Sequence, residues 1–80
     1  MPYNPWYSYW QYPWYNRQIT QQQAVQIALQ QVPGQVIKVE MDTENSLLVY
    51  EVDIRTAYAV YEVKVNATTG AIVGIDFDND

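Results

Sequence analysis

The sequence contains neither cysteine nor histidine. Without cysteine, the chain can form no disulfide and no thiolate metal site. Without histidine, it has no Ser-His or Cys-His nucleophile pair, no histidine general base and no histidine-ligated metal. Carboxylates, tyrosines and two serines remain for catalysis. Most common enzymatic routes are therefore excluded, and the sequence predicts no catalytic residue, no cofactor and no metal site.

Positive charge is also scarce. Arg17, Lys38, Arg55 and Lys64 are the only basic residues against nine acidic ones, which gives a formal net charge of -5. Because phosphate binding requires clustered Lys and Arg, this balance argues against a nucleic-acid partner. It argues equally against binding to an anionic membrane surface.

Long hydrophobic runs are missing as well. No segment approaches the roughly 18 apolar residues that a membrane span requires. The N-terminus lacks the basic and aliphatic regions of a signal peptide. If Met1 is the true start, we expect a cytoplasmic or spore-associated location, reached by assembly rather than by secretion.

Eighty residues suffice for one domain, but the composition changes sharply near residue 17. Residues 1–16 carry no charge and hold eight of the twelve aromatic residues, including all three tryptophans. The triplet Pro-Trp-Tyr occurs twice, at 5–7 and 13–15, and Pro13 would interrupt a helix. We therefore divide the chain into an extended aromatic tail, residues 1–17, and a folded domain, residues 18–80.

A helix is predicted directly after the tail. Thr20 and Gln23 have the spacing of a capping box, and Ile19 and Ala24 that of a hydrophobic staple. Apolar residues then recur every three or four positions up to Val32. Pro33-Gly34 ends the helix, because proline cannot continue it and glycine suits a turn.

From Gln35 onward the hydrophobic period changes to two, which predicts four strands. Their inward-facing residues are predicted to be Ile37, Val39 and Met41; Leu48, Tyr50, Val52 and Ile54; Ala59, Tyr61, Val63 and Val65; Ala71, Val73, Ile75 and Phe77. Short connections favour neighbouring antiparallel strands. The predicted fold class is α+β, with one N-terminal helix packed on a four-stranded antiparallel β-meander.

The outward-facing positions combine charged and apolar side chains. Glu51 and Glu62 are expected on the same outer face as Lys38 and Lys64, where they act as solubilising charges rather than as an acid–base couple. Val36, Val49, Val60 and Ile72 are predicted to form an apolar stripe on this face. Such a stripe reflects either β-propensity or a surface that a partner or the tail covers. The carboxylates of Asp76, Asp78 and Asp80 are expected to be a solvated acidic end rather than a weak divalent site.

The order of these elements resembles the PepSY family. The resemblance rests on Ile19-Thr20, the run from Ala24 to Ala28, Val32-Pro33-Gly34, Tyr50-Glu51-Val52, and Tyr61 to Gly70, and it covers residues 19–78. Asn66 departs from the family, which usually has aspartate there. The resemblance implies no catalytic residues and a role in binding or inhibiting peptidases or cell-wall hydrolases. The aromatic tail is not part of the family pattern.

Two functions remain open at this point. One is a non-enzymatic module that binds and regulates a peptidase or hydrolase. The other is a structural, self-assembling protein, spore-associated, in which the tail provides adhesion. The candidate partner-binding residues, for a protein partner or a second copy of the chain, are Trp6, Tyr7, Trp10, Trp14, Tyr15, Val49, Val60 and Ile72.

Overall fold

The predicted α+β architecture is confirmed. A computed structural model of the chain describes residues 18–78. Helix α1 (Gln21–Gln31) is followed by strands β1 (Gln35–Glu44), β2 (Leu47–Arg55), β3 (Val60–Asn66) and β4 (Ile72–Asp78). The strands form one antiparallel sheet in the order β1-β2-β3-β4, with α1 packed against one face. Residues 1–17, the proposed tail, lie outside the described residues, so the division at residue 17 remains a prediction.

Helix α1 begins with the predicted capping box. Thr20 Oγ1 accepts a hydrogen bond from the Gln23 backbone N–H at 3.0 Å, and Gln23 Oε1 accepts one from the Thr20 N–H at 2.8 Å. These two bonds satisfy donors that the first turn of a helix leaves without intrahelical partners. The helix ends at Gln31, two residues before Pro33. Over the described residues, no helix is long and apolar enough to span a membrane.

Gly34 is required for a different reason from the predicted one. A Cβ at this position would lie 2.5 Å from the Arg55 carbonyl oxygen and 2.8 Å from Ile54 Cγ2. The chain leaving α1 thus passes directly against the backbone at the end of β2. Glycine is needed here because of this close approach, and not because the turn demands a left-handed conformation.

Two of the three turns between strands illustrate local turn chemistry. Asn45 and Ser46, with φ of 51° and 70°, connect β1 to β2 in the doubly left-handed manner of a two-residue hairpin. In the β3–β4 turn, Asn66 Oδ1 accepts hydrogen bonds from the N–H groups of Thr68 and Thr69 at 2.8 and 3.0 Å. Gly70 has φ of 83°. The turn is thus capped by the Asn66 side chain and closed by a left-handed Gly70.

The core lies between α1 and the middle of the sheet. Two alanines, Ala24 and Ala28, are the fully buried residues of the helix, and their small side chains let it approach the strands closely. Beneath them, the buried strand residues are Tyr50, Val52, Ile54, Val63 and Val65. All five were predicted to face inward.

Two β-bulges shift the predicted faces of the edge strands. Val36 pairs with Ile54 and Lys38 with Asp53, so Ile37 is an extra residue in β1. An extra residue reverses the alternation of side chains on one side of it. Val36 therefore lies on the helix-covered face and packs against the core, whereas Ile37 is exposed.

Strand β4 contains the second bulge. Val65 pairs with Ile72 and Lys64 with Gly74, so Val73 is the extra residue. Ile72 shares the face of Val65 and packs against the core, and Val73 is exposed. The predicted outward positions of Val36 and Ile72, and the inward positions of Ile37 and Val73, are wrong.

Candidate functional site

Helix α1 crosses the sheet diagonally. Its start is fixed beside the β3–β4 turn, where the Ile19 N–H donates to the Ala67 carbonyl at 2.8 Å. Its end lies near Gly34, against the backbone of Arg55 at the far end of β2. The helix packs on β2 and β3, and less on β1. Among the described residues, the outer part of β4 on the helix side therefore has no helix above it.

This uncovered region, which we call the β4 corner, consists of Tyr61, Ile75 and Phe77. Ile75 pairs with buried Val63 and Phe77 pairs with Tyr61, so both lie on the helix side of the sheet. Yet Ile75 is 43% exposed and Phe77 57% exposed. The Tyr61 and Phe77 rings are 5.2 Å apart between centroids and tilted by 58°, an attractive aromatic geometry. The corner is an apolar surface on an edge strand that pairs, within the described residues, on one side only.

The alternating pattern predicted Ile75 and Phe77 as inward-facing but not their exposure. The dimensions of the predicted helix and sheet nevertheless indicate that some inward-facing residues stay exposed. A helix is about 10–12 Å across, and four strands spaced about 4.8 Å apart form a wider surface. A single helix of 11 residues therefore leaves part of the face uncovered. Which part remains uncovered depends on the crossing angle, which no local pattern encodes.

The opposite face of the sheet, which we call the open face, is predominantly acidic. Paired positions place its side chains in two neighbouring rows. One row contains Lys38, Asp53, Glu62 and Asp76, and the next contains Glu40, Glu51, Lys64 and Gly74. The shared outer face predicted for Glu51, Glu62, Lys38 and Lys64 is confirmed.

Lys64 is the central cation of the open face. Its Nζ lies 3.1 Å from Glu44 Oε2 on β1 and 3.2 Å from Asp76 Oδ2 on β4. These hydrogen bonds to Glu44 and Asp76 raise the pKa of Lys64. Lys38 contacts Glu40 at 3.4 Å, but both of those side chains are more than half exposed. Lys64 thus links both edge strands through their carboxylates, whereas Lys38 makes only a surface pair.

Two carboxyl groups of the open face have raised pKa values. Partial burial, followed by repulsion from Glu62 and Asp42, raises the pKa of Glu51 from 4.5 to about 7; a hydrogen bond with Glu44 and its charge add to this. Burial and the charge of Asp53 raise the pKa of Glu62, although Lys64 opposes the shift. A substantial fraction of Glu51 is therefore protonated at neutral pH.

Three of these residues have carboxylate oxygens close enough to share a cation. Oxygens of Asp42, Glu44 and Glu51 all lie within 4.8 Å of one another. Calcium takes six to eight oxygen ligands, so this group supplies part of a coordination shell. However, the Glu44 carboxylate already pairs with the Lys64 ammonium. This ammonium supplies the positive charge that a bound cation would otherwise bring to the cluster.

The candidate partner-binding residues fall in different places. Val49 lies on the open face but is 0% exposed, and Val60 is half-buried on the same face. Ile72 is on the helix side. The predicted apolar stripe of four residues is thus not assembled, because Val36 and Ile72 lie on the helix side of the sheet. Partner binding by Val49, Val60 and Ile72 stays a prediction. Trp6, Tyr7, Trp10, Trp14 and Tyr15 lie outside the described residues.

Comparison with known proteins agrees with this architecture. The family described as "Peptidase propeptide and YPEB domain" (PepSY) matches residues 18–76. The crystal structure of a "putative lipoprotein" from Clostridium difficile 630 superposes with a TM-score of 0.76 and 27% sequence identity. That match covers 79% of this chain and 41% of the other, so this chain spans less than half of that protein. No curated protein sequence matches this chain. With the family match covering helix α1 and nearly all of the sheet, the chain belongs to the PepSY family.

Proposed function

We propose that this chain is a non-enzymatic protein-binding module that restrains a peptidase or a cell-wall hydrolase, and that the β4 corner is its contact surface. The single observation that carries the proposal is the exposure of Ile75 and Phe77, 43% and 57%, on one edge strand. Contiguous exposed apolar surface is a common mark of protein interaction sites. The peptidase-propeptide description of the family supports the class of partner.

The geometry of β4 adds a second means of recognition. In the described part of the chain, β4 hydrogen-bonds to β3 alone, so its outer edge presents backbone N–H and C=O groups. An extended segment of a partner can add to such an edge by main-chain hydrogen bonds. The exposed side chains of Ile75 and Phe77 then supply apolar contacts that select the partner.

The test is inhibition of purified enzymes by the full chain. We would assay a thermolysin-type metallopeptidase and a peptidoglycan hydrolase with wild type, with Ile75→Ser/Phe77→Ser, and with Met41→Ser. Met41 is the matched control because it is 46% exposed on the helix side of the other edge strand. We expect wild type and Met41→Ser to slow one of the enzymes, and the double variant to require at least about tenfold more protein.

Absence of inhibition of both enzyme classes by the wild-type chain would contradict the regulatory role. Equal inhibition by all three proteins would exclude the β4 corner as the contact surface. Circular dichroism and thermal unfolding of each variant separate loss of binding from loss of fold.

A second candidate function is self-assembly, in the cytoplasm or a spore layer, with the aromatic tail as the adhesive segment. The observation that favours it is the same edge of β4, which pairs with no other strand of the described residues, because an exposed apolar edge also pairs with a second copy. Sedimentation velocity over a range of concentrations distinguishes the two functions. Oligomers that disappear when the tail aromatics are replaced by serine favour assembly, whereas a persistent monomer that inhibits a hydrolase favours regulation.

A further inference from the structure

An open groove lies where the chain enters helix α1, apart from the β4 corner. It has a volume of about 670 Å³ and runs between the first turns of α1 and the β3–β4 turn. This volume is within the range of small-molecule and side-chain binding pockets. Its apolar surface comes from Ile19, Ile27 and Gly70. Amide and hydroxyl groups surround them, among them those of Gln22, Gln26 and Thr69.

The groove is held open by the backbone around it. Ile19 is fixed on both sides, since its N–H donates to the Ala67 carbonyl at 2.8 Å and its carbonyl accepts from the Tyr50 hydroxyl at 3.2 Å. Gly70, with φ of 83°, has no side chain; a Cβ there would lie 3.3 Å from Ile27 Cδ1. The left-handed glycine therefore leaves Ile27 accessible from the groove. The site is preformed, so little ordering of the domain is needed to fill it.

The lining of the groove is uncharged, in contrast to the acidic open face. Every polar group along it is a glutamine amide, a threonine hydroxyl or backbone. Amides both donate and accept hydrogen bonds, so they suit the N–H of tryptophan and the O–H of tyrosine. The chemistry of the groove therefore fits aromatic rings with a polar edge and offers no counter-charge to an ionic ligand.

The same chain contains a segment of this chemistry next to the groove. Residues 1–16 carry no charged residue and eight aromatic ones, all tryptophan or tyrosine. The described structure begins at Gln18, one residue before Ile19 in the groove wall. Trp14 is five residues from Ile19, which allows a separation of at most about 17 Å between their Cα atoms. Tethering at this distance gives an effective concentration on the order of millimolar, so even weak contacts suffice for docking.

We propose that the aromatic tail docks in this groove of its own chain, with Trp14 and Tyr15 as the anchors nearest to the domain. Docking buries aromatic surface that is otherwise a hazard for aggregation. The groove shares no residue with the β4 corner, whose Phe77 lies five residues along β4 from Ile72, roughly 17 Å from the turn end of the strand. The proposal therefore stands or falls independently of the proposed regulatory function.

Tryptophan fluorescence tests this directly, because all three tryptophans lie in the tail at positions 6, 10 and 14. The full chain carrying Trp6→Phe and Trp10→Phe reports on Trp14 alone. We would compare its emission maximum and its acrylamide quenching with those of a peptide of residues 1–17 carrying the same substitutions. Docking predicts a blue-shifted emission and weaker quenching in the full chain.

Paired variants of α1 locate the docking site. In the same single-tryptophan chain, Gln22→Glu/Gln26→Glu places two carboxylates in the groove lining. Gln30→Glu/Gln31→Glu makes the same chemical change on the same helix outside the groove. Because an aromatic ring packed on the groove would desolvate the new carboxylates, we expect the first pair to lower the docked-to-free ratio by roughly tenfold. The second pair should leave emission and quenching unchanged.

Three results would overturn the proposal. Equal emission and quenching of Trp14 in the full chain and in the peptide would show that the tail is not docked. If both glutamate pairs reduced the protection of Trp14 from acrylamide equally, the tail would be docked elsewhere on the domain. If the protection of Trp14 disappeared on dilution, the groove would bind the tail of a second copy of the chain. Circular dichroism of each variant ensures that a lost signal reflects undocking rather than unfolding.

Discussion

The Glu44 carboxylate and the Lys64 ammonium meet at 3.1 Å across strand β2, above Val49. Glu44 pairs with Leu47 and Lys64 pairs with Glu51, so the line between them crosses β2 at residue 49. Val49 is 0% exposed although it lies on the face that α1 does not cover. The Glu44–Lys64 ion pair therefore passes over the position of an apolar residue that the alternating pattern assigned to solvent.

Replacing Lys64 tests the importance of this arrangement. Lys64→Met removes the partner of Glu44 and Asp76 and leaves several carboxylates of the open face without a central cation. We expect it to lower the urea midpoint of unfolding clearly more than Lys38→Met, which breaks only an exposed pair with Glu40. Equal midpoints for the two variants would contradict the structural role of Lys64.

The raised pKa of Glu51 predicts a pH dependence of stability. Its folded-state pKa of about 7 exceeds the ordinary value of 4.5, so folding favours the protonated form. The resulting destabilisation is absent below about pH 4.5, grows as the pH rises, and is complete above about pH 7.

Glu51→Gln should remove this destabilisation. After allowance for solvent screening, we expect the free energy of unfolding to rise by about 1 kcal/mol at pH 8 and to stay unchanged at pH 4. Glu40→Gln is the control, since Glu40 pairs with Glu51 across the strands but forms an exposed pair with Lys38. Urea titrations at both pH values measure the effect, and a pH-independent gain would contradict the assignment to Glu51.

The hydroxyl of Tyr50 connects the sheet to the start of helix α1. It donates to the Ile19 carbonyl at 3.2 Å, and Tyr50 is otherwise buried. Tyr50→Phe leaves that carbonyl without its partner, so we expect a loss of about 1 kcal/mol of stability. Tyr58→Phe is the control because Tyr58 is 89% exposed. Thermal unfolding should distinguish the two, and equal melting temperatures would argue that the bond contributes nothing.

Gly34 and Gly74 give opposite predictions for the same substitution. Gly34→Ala forces a methyl group against the Arg55 carbonyl and Ile54, and we expect a loss of about 2–3 kcal/mol. At Gly74 a Cβ meets nothing within 4 Å. Alanine there should be neutral, or stabilise by about 0.5 kcal/mol because it lowers the conformational entropy of the unfolded chain. Comparable losses in denaturant unfolding would show that the close approach at Gly34 is not the cause.

Most of the fold could be predicted from the sequence because its signals are local. The capping box of Thr20 and Gln23, the left-handed Gly70 and the turn-capping Asn66 each depend on contacts within a few residues. The change of hydrophobic period from 3.6 to 2 at Gln35 marks the passage from helix to sheet. The antiparallel order follows from short connections, since chains joined by a few residues have few other ways to pair.

The sequence by itself determined the elements, their order and the acidic character of the open face, whereas the tertiary structure decided which side chains reach solvent. Ile37 and Val73 are the bulge residues because Val36 and Ile72 pack against the core. That packing depends on segments that are distant from them in the sequence. Phe77 and Ile75 are exposed because α1 crosses the sheet diagonally. Val49 is buried at the point of β2 that the Lys64–Glu44 pair crosses. Each outcome depends on the relative positions of two elements, and a repeating local pattern carries no information about such positions.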